Sequence, residues 1–219
     1  MDYSFAFDIF KHMIPALPRT LYITIVPFIL ALILALSITL ILYFDVPILK
    51  YIGKCYISFF RGTPFIGQLF LIYFGIPMIF PVFMEIGKTG AFIVTMTLNT
   101  AAYLSETFRG ALLSVEKGQI EAAKSIGLSN FRMMKNIVIP QAIPVAIPST
   151  VNTLIDTIKG SSLAFTIGIV DITAVAKIQA GITYQYFEAY MALVLLYWIV
   201  VLILEHFQKK YETKHKLVK

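Results

Sequence analysis

Two clusters of polar side chains interrupt apolar stretches of the sequence. Asn99, Thr100, Tyr103 and Glu106 follow one another within two helical turns, with Arg109 three residues further on, and Asn152, Thr153, Asp156, Thr157 and Lys159 make a second set. Residues three or four apart share a helix face, so Glu106 with Arg109, and Asp156 with Lys159, each bring a carboxylate within reach of a cation. An ionisable group at the centre of a membrane span costs about 2.5 kcal/mol or more, which makes each one a candidate for function. The chemistry open to such a set is reversible binding. A zwitterion needs an acceptor for its ammonium and donors for its carboxylate, and Asn99, Thr100, Tyr103, Glu106, Asn152, Asp156 and Lys159 supply both along one polar path. For Glu106 and Arg109 the simpler alternative, that they only satisfy each other, stays open.

Bond-making chemistry has no comparable candidates. The three histidines, His12, His206 and His215, stand near the ends of the chain, and the single Cys55 excludes both an intramolecular disulfide and a cysteine metal cluster, so no metal site is expected. Residues 118–125 end in Lys-Ser like a phosphate-binding loop, but Ala123 replaces the second glycine and no strand precedes them. Any nucleotide energy must therefore come from another chain. The net charge of +6 resides between apolar runs and at the C-terminus rather than along one helical stripe. That distribution speaks for membrane orientation and against a nucleic-acid partner.

The elements that must position these clusters are membrane helices. Of the 219 residues, 58% are hydrophobic and only 14% charged, and the mean hydropathy is +0.82, values outside those of a water-soluble domain. A span needs about 20 mostly apolar residues. Five are expected, at 20–44, 58–80, 90–110, 138–158 and 189–207, in a single all-α integral membrane domain covering 20–207. With the C-terminus inside, only Lys11, Arg19, Lys88, Lys159 and Lys177 of the 18 Lys and Arg lie outside, so the positive-inside rule favours N-terminus out, C-terminus in.

Shorter segments complete the plan. Residues 1–19 are expected to be interfacial rather than a cleaved signal, with Phe5, Phe7, Phe10 and Ile14 on one face and Pro15 and Pro18 breaking the helix. Residues 163–176, with Asp171 central, are too short to cross and are expected as a re-entrant or interfacial piece on the outer side. Pro64 suits the start of the second span. Pro140, Pro144 and Pro148 share one face and should loosen the fourth, for gating or simply for shape. Residues 208–219 form a basic cytoplasmic tail.

Between the third and fourth spans the chain turns polar and helix-favouring. Residues 119–126 suit a short helix, Gly127 can end it in a left-handed conformation, and Ser129 can cap a second helix beginning near Asn130. Here the pattern Glu121-Ala122-Ala123, Gly127 after three residues, Ile137 after nine more, then Ile139-Pro140, resembles the EAA signature of ABC importer permeases, with Ile139 in place of a leucine. Phe60-Arg61-Gly62-Thr63-Pro64-Phe65-Ile66, and Lys159 with Ser161-Ser162-Leu163-Ala164, resemble the polar amino-acid branch of that family, which has the MetI-like permease fold. Residues 161–168 with Tyr186-Phe187-Glu188 resemble cystine-type permeases. In the resembling proteins an Asp or Asn often follows the lysine, whereas here Gly160 does, so one partner for a cationic cargo is missing.

The resemblance implies a non-enzymatic, pore-forming subunit of the bacterial cytoplasmic membrane that moves a polar amino acid by alternating access. It implies a coupling segment at 115–140, in which Glu121, Ala122, Ala123, Lys124 and Gly127 dock into a cleft of an ATP-hydrolysing partner. The implied partners are a dimer of ATP-binding subunits, which hold ATP and Mg, a second permease subunit, identical or paralogous, and an extracytoplasmic solute-binding protein. No cofactor is expected in this chain. The rival is an ion-coupled secondary transporter using Glu106 and Asp156 as ion sites, against which stand the short chain and the lack of an inverted repeat.

Overall fold

A computed structural model describes residues 3–214, with side chains from Asp8 onward; Phe5 and Phe7, and His215, Lys216 and Lys219 of the tail, lie outside the described side chains. Every regular element among the described residues is helical. In chain order these are α1 (Tyr3–Met13), α2 (Leu17–Tyr43), α3 (Leu49–Gly62), α4 (Phe65–Phe70), α5 (Ile76–Ile79), α6 (Gly87–Leu113), α7 (Lys117–Ser125), α8 (Asn130–Met133), α9 (Ile139–Ser161), α10 (Ile172–Thr183) and α11 (Tyr186–Lys214).

Three helical stretches are long and apolar enough to cross a membrane: Asp8–Tyr43, Asn130–Ile167 and Tyr186–Lys214. A fourth is Leu49–Gly62 with Phe65–Ile79, if that pair, bent by 109°, counts as one span. The expected straight helix at 58–80 is thus replaced by two helices meeting at Thr63-Pro64. Pro64 is extended, at φ −64° and ψ 134°, and α4 begins immediately after it, because a proline ring disfavours helical geometry in the residue before it and donates no amide. The expected span at 90–110 lies within α6, whose 27 residues are long enough at about 1.5 Å each. Thr95, Thr97, Asn99, Thr100, Ser105, Glu106 and Arg109 leave it too polar to qualify by composition. The neighbouring helices supply the burial that lipid could not.

Helix α2 is the principal neighbour. Ile23 packs with Phe92 and Met96, Phe28, Ala31 and Ala35 pack with Ala101 and Leu104, and Thr39 donates to the Ser105 carbonyl at 3.2 Å. Residue numbers rise together along both helices, so α2 and α6 run parallel and the chain between them must return to the starting side. Small residues dominate the contact because lipid offers no hydrophobic drive for helix association, and close backbone approach has to replace it. Helix α9 runs antiparallel to α6, with Thr100 facing Thr157 and Met96 facing Gly160.

Two π-helical turns, Leu71–Gly75 and Met134–Val138, each precede a proline, Pro77 and Pro140. These prolines cannot donate to the carbonyls four residues back, Tyr73 and Asn136, and the wider turn relieves the clash. Helix α9 continues through Pro144 and Pro148, so the loosening expected from the three prolines is confined to its start. The break expected at Pro15 and Pro18 is only a 3-10 turn, Ile14–Ala16, since Pro18 occupies the first turn of α2. Helix α1 is anchored by Ile9 and Met13, buried against α10 and α11.

Candidate functional site

The antiparallel α6 and α9 diverge around a cavity of about 310 Å³ lined by polar residues of both helices. Four residues expected on the polar path, Asn99, Thr100, Tyr103 and Asp156, line it, joined by Thr153 and Thr157. Gly160, Met96, Phe65 and Leu163 provide the apolar part of the wall. A larger groove of about 440 Å³ between α5 and α6 is lined by Phe, Ile, Met and Pro side chains and contains no charge, so it offers a zwitterion nothing to pair with.

The remaining path residues sit around this cavity rather than on its wall. Lys159 pairs with Asp156 at 2.8 Å across an exposed helix face, and Asn152 is exposed outside the cavity. Glu106, one turn beyond Tyr103, accepts from Arg109 twice, at 3.0 and 2.7 Å. The open alternative of mutual satisfaction is therefore realised, but a third group joins the pair. Arg61, at the end of α3, lies 3.9 Å from Glu106 and 5.6 Å above the Tyr103 ring. One carboxylate shared by two guanidinium groups leaves the cluster with a net positive charge beside the cavity.

Asn99 does double duty. Its amide donates to the Phe60 carbonyl at 3.2 Å and to Gln68 Oε1 at 2.9 Å. Gln68, only 3% exposed, donates in turn to Phe60 and Thr63 carbonyls and to Thr63 Oγ1. These bonds satisfy the backbone left open where α3 ends and α4 begins, and they fix the bend to the cavity wall. Each such bond contributes about 1 kcal/mol net. Nothing in the sequence pattern pairs Gln68 with Asn99, although a lone glutamine in an apolar run is itself a signal that a partner must exist.

The segment between α6 and α9 folds as its residues suggest up to a point. Helix α7 spans Lys117–Ser125, Gly127 adopts φ +74°, and the Ser129 side chain accepts the Arg132 amide. The second helix, however, runs without interruption from α8 into α9. Among the residues expected to couple, Glu121, Ala122 and Lys124 are exposed, but Ala123 is 2% exposed and packs inward against Val115, Met133, Met134 and Val138. Ala123 therefore seats α7 on its own chain rather than facing outward, since its methyl allows the close approach. The outward face instead carries Ile126, 77% exposed, and Phe131, 75% exposed, which the pattern did not single out. Gln141 donates to Gln119 at 2.6 Å and to the Ile137 carbonyl, linking α7 directly to α9.

Asp171 anchors the segment beyond α9. It is fully buried, and Oδ1 caps α10 by accepting the Ala174 amide at 2.9 Å. The Ile172 amide donates to Thr20 of α2. Burial, outweighing the hydrogen bonds from Ala174 and Thr173, pushes the Asp171 carboxyl above the usual carboxylate range.

Comparison with known proteins follows the same outline. A family model described as the binding-protein-dependent transport system inner membrane component matches residues 28–216. "Probable amino-acid permease protein YxeN" of Bacillus subtilis is 42% identical over 97% of this chain and 95% of its own. "L-cystine transport system permease protein TcyL" of the same organism is 35% identical over 99% and 94%. A crystal structure of an amino acid ABC transporter with histidines superposes with a TM-score of 0.90 at 31% identity, covering 98% of this chain and 99% of that one.

Proposed function

Because the chain belongs to the family of binding-protein-dependent transport system inner membrane components, we propose that the cavity between α6 and α9 is the path by which a polar amino acid crosses the inner membrane. The chain is a multi-pass permease subunit of an ABC amino-acid importer, and ATP is bound by a separate ATPase subunit. No cofactor belongs to this chain, and the ion-coupled alternative loses its basis. The observation that carries the proposal is the cavity itself. Asn99, Thr100, Tyr103, Thr153, Asp156 and Thr157 converge on it, with the Asp156 carboxylate to meet an ammonium and hydroxyl and amide groups to meet a carboxylate.

Alternating access then assigns the other parts. Five crossings, N-terminus out and C-terminus in, agree with the parallel run of α2 and α6, which requires α3 to α5 to return the chain across the bilayer. Helix α7 is the coupling element, presenting Glu121, Ala122 and Lys124 to the ATPase, with the apolar Ile126 just after it and Phe131 of α8 beside them. Gln119–Gln141 and Ala123 transmit its displacement to α9. A second permease subunit, identical or paralogous, completes the pathway, and an extracytoplasmic binding protein delivers cargo. Cystine is the narrower candidate within the polar amino acids.

The test is uptake by the transporter assembled with its ATPase in liposomes, driven by amino-acid-loaded binding protein. Asp156→Asn and Tyr103→Phe should each slow uptake severalfold while assembly stays normal. Parental rates in both would remove the cavity from the path. Screening which loaded binding protein stimulates ATP hydrolysis identifies the cargo.

A further inference from the structure

Helix α11 contains 29 residues, about 43 Å at 1.5 Å per residue, and so outruns a hydrocarbon layer about 30 Å thick. Its apolar run ends at Leu204, and Glu205 is the first charge after Glu188. Two adjoining grooves follow one stripe of this helix across that boundary. The first, about 340 Å³, is lined by Ile199, Leu202, Ile203, His206 and Phe207, and the second, about 650 Å³, by His206, Lys209, Lys210, Thr213 and Lys214. His206 belongs to both. The spacing of three and four residues keeps the stripe on one side of the helix, and all of these side chains are exposed.

We propose that this stripe is a binding site for an anionic phospholipid, its phosphate held by Lys209, Lys210 and Lys214 and one acyl chain lying along Ile199, Leu202 and Ile203. Three observations select this occupant. No carboxylate among the described residues forms an ion pair with the three lysines. Neither acid of this stretch covers it: Glu205, one turn before Lys209, lines neither groove, and Glu212 accepts instead from Gln208 at 3.0 Å and is half-buried. The cationic groove also continues directly into an apolar one at the depth where hydrocarbon begins, an order that matches a phospholipid and not a free anion or a flat acidic protein surface. Cations just outside a span each strengthen binding to anionic lipid by about fivefold. The site is independent of the cavity between α6 and α9.

Trp198, the only tryptophan in the chain, is exposed one turn before Leu202 and reports occupancy. The transporter assembled with its ATPase is placed in phosphatidylcholine nanodiscs, and phospholipids brominated on the acyl chain are titrated in. Bromines within the bilayer do not reach tryptophans of a water-soluble subunit. Brominated phosphatidylglycerol should quench Trp198 at a mole fraction lower than that of brominated phosphatidylcholine by about a hundredfold, three lysines at about fivefold each. The triple substitution Lys209→Gln, Lys210→Gln, Lys214→Gln should abolish that preference, and the triple substitution to Arg should retain it. Equal quenching by both lipids, or a preference that survives the Gln substitutions, would overturn the proposal. So would a preference removed by millimolar inorganic phosphate at constant ionic strength, or one present in the chain alone and lost on adding the ATPase, since either would give the stripe to another occupant.

Discussion

Replacing Gly160 by aspartate should move the cavity's preference toward cationic amino acids. Gly160 lies on the cavity wall, and a Cβ built there meets only the Met96 Cε, at 3.3 Å, the free end of a flexible side chain that can yield a few tenths of an ångström. The new carboxylate would stand one turn from Asp156. At about 6 Å from a bound cationic side chain, with an effective dielectric of about 20, it contributes roughly 2.8 kcal/mol. Solvent screening in a cavity open to water, and Lys159 nearby, reduce this to about 1.4 kcal/mol, or tenfold. The assay is equilibrium binding of lysine and of a neutral polar amino acid to the assembled transporter in nanodiscs without binding protein, so that delivery does not mask selectivity. Gly160→Asn controls for bulk and polarity without charge. A lysine-to-neutral affinity ratio within twofold of the parent, in a variant that assembles normally, would refute the placement of cargo beside Gly160.

Gly127→Val forces a β-branched residue into φ +74° and should cost about 1–2 kcal/mol locally; stimulation of ATP hydrolysis by loaded binding protein should fall severalfold while cavity binding stays unchanged. Glu106→Gln removes the carboxylate shared by Arg109 and Arg61, and because all three side chains are partly exposed the unfolding free energy in detergent should drop by only about 1 kcal/mol; a loss of several would show that the cluster is sealed from water in the assembly. Asp171 has its carboxyl raised by burial, so its contribution to stability is fully present below the unfolded carboxylate range and is lost as pH rises through the higher folded value. Asp171→Asn keeps a side-chain oxygen for the α10 cap and should therefore flatten the decline in thermal midpoint as pH rises above the usual carboxylate range; an unchanged slope would contradict the burial argument.

The features legible in the sequence are those made by near neighbours. Gly127 and Ser129 bracket a turn whose geometry each residue prefers on its own. Glu106 with Arg109 and Asp156 with Lys159 follow from a spacing of three, and Pro64 starts a helix because of its own covalent structure. Convergence of Asn99, Thr100, Tyr103 and Asp156 was accessible because polar groups in apolar runs must face one another. What escaped depends on distant partners. Asn99 and Gln68 are 31 residues apart and meet only because the chain bends by 109° at Thr63-Pro64. Arg61 reaches Glu106 because α3 itself packs against α6, where Tyr56 donates to the Leu98 carbonyl. The inward turn of Ala123 depends on Met133 and Met134 folding back beneath α7, and an alternation of small and polar residues does not say which side the chain will cover. Asp171, read only as a charge inside a short apolar piece, is a buried cap of α10, and the next residue's amide ties the segment to Thr20 of α2.

The central claim is that the amino acid passes between α6 and α9, and Thr153, on the cavity wall, allows a direct measurement. With the exposed Cys55 changed to serine, Thr153→Cys introduces one thiol into the path. In the assembled transporter a small thiol reagent should block uptake, and the transported amino acid should slow that modification severalfold. Full labelling of the introduced thiol with uptake intact, and no protection by cargo, would contradict the account.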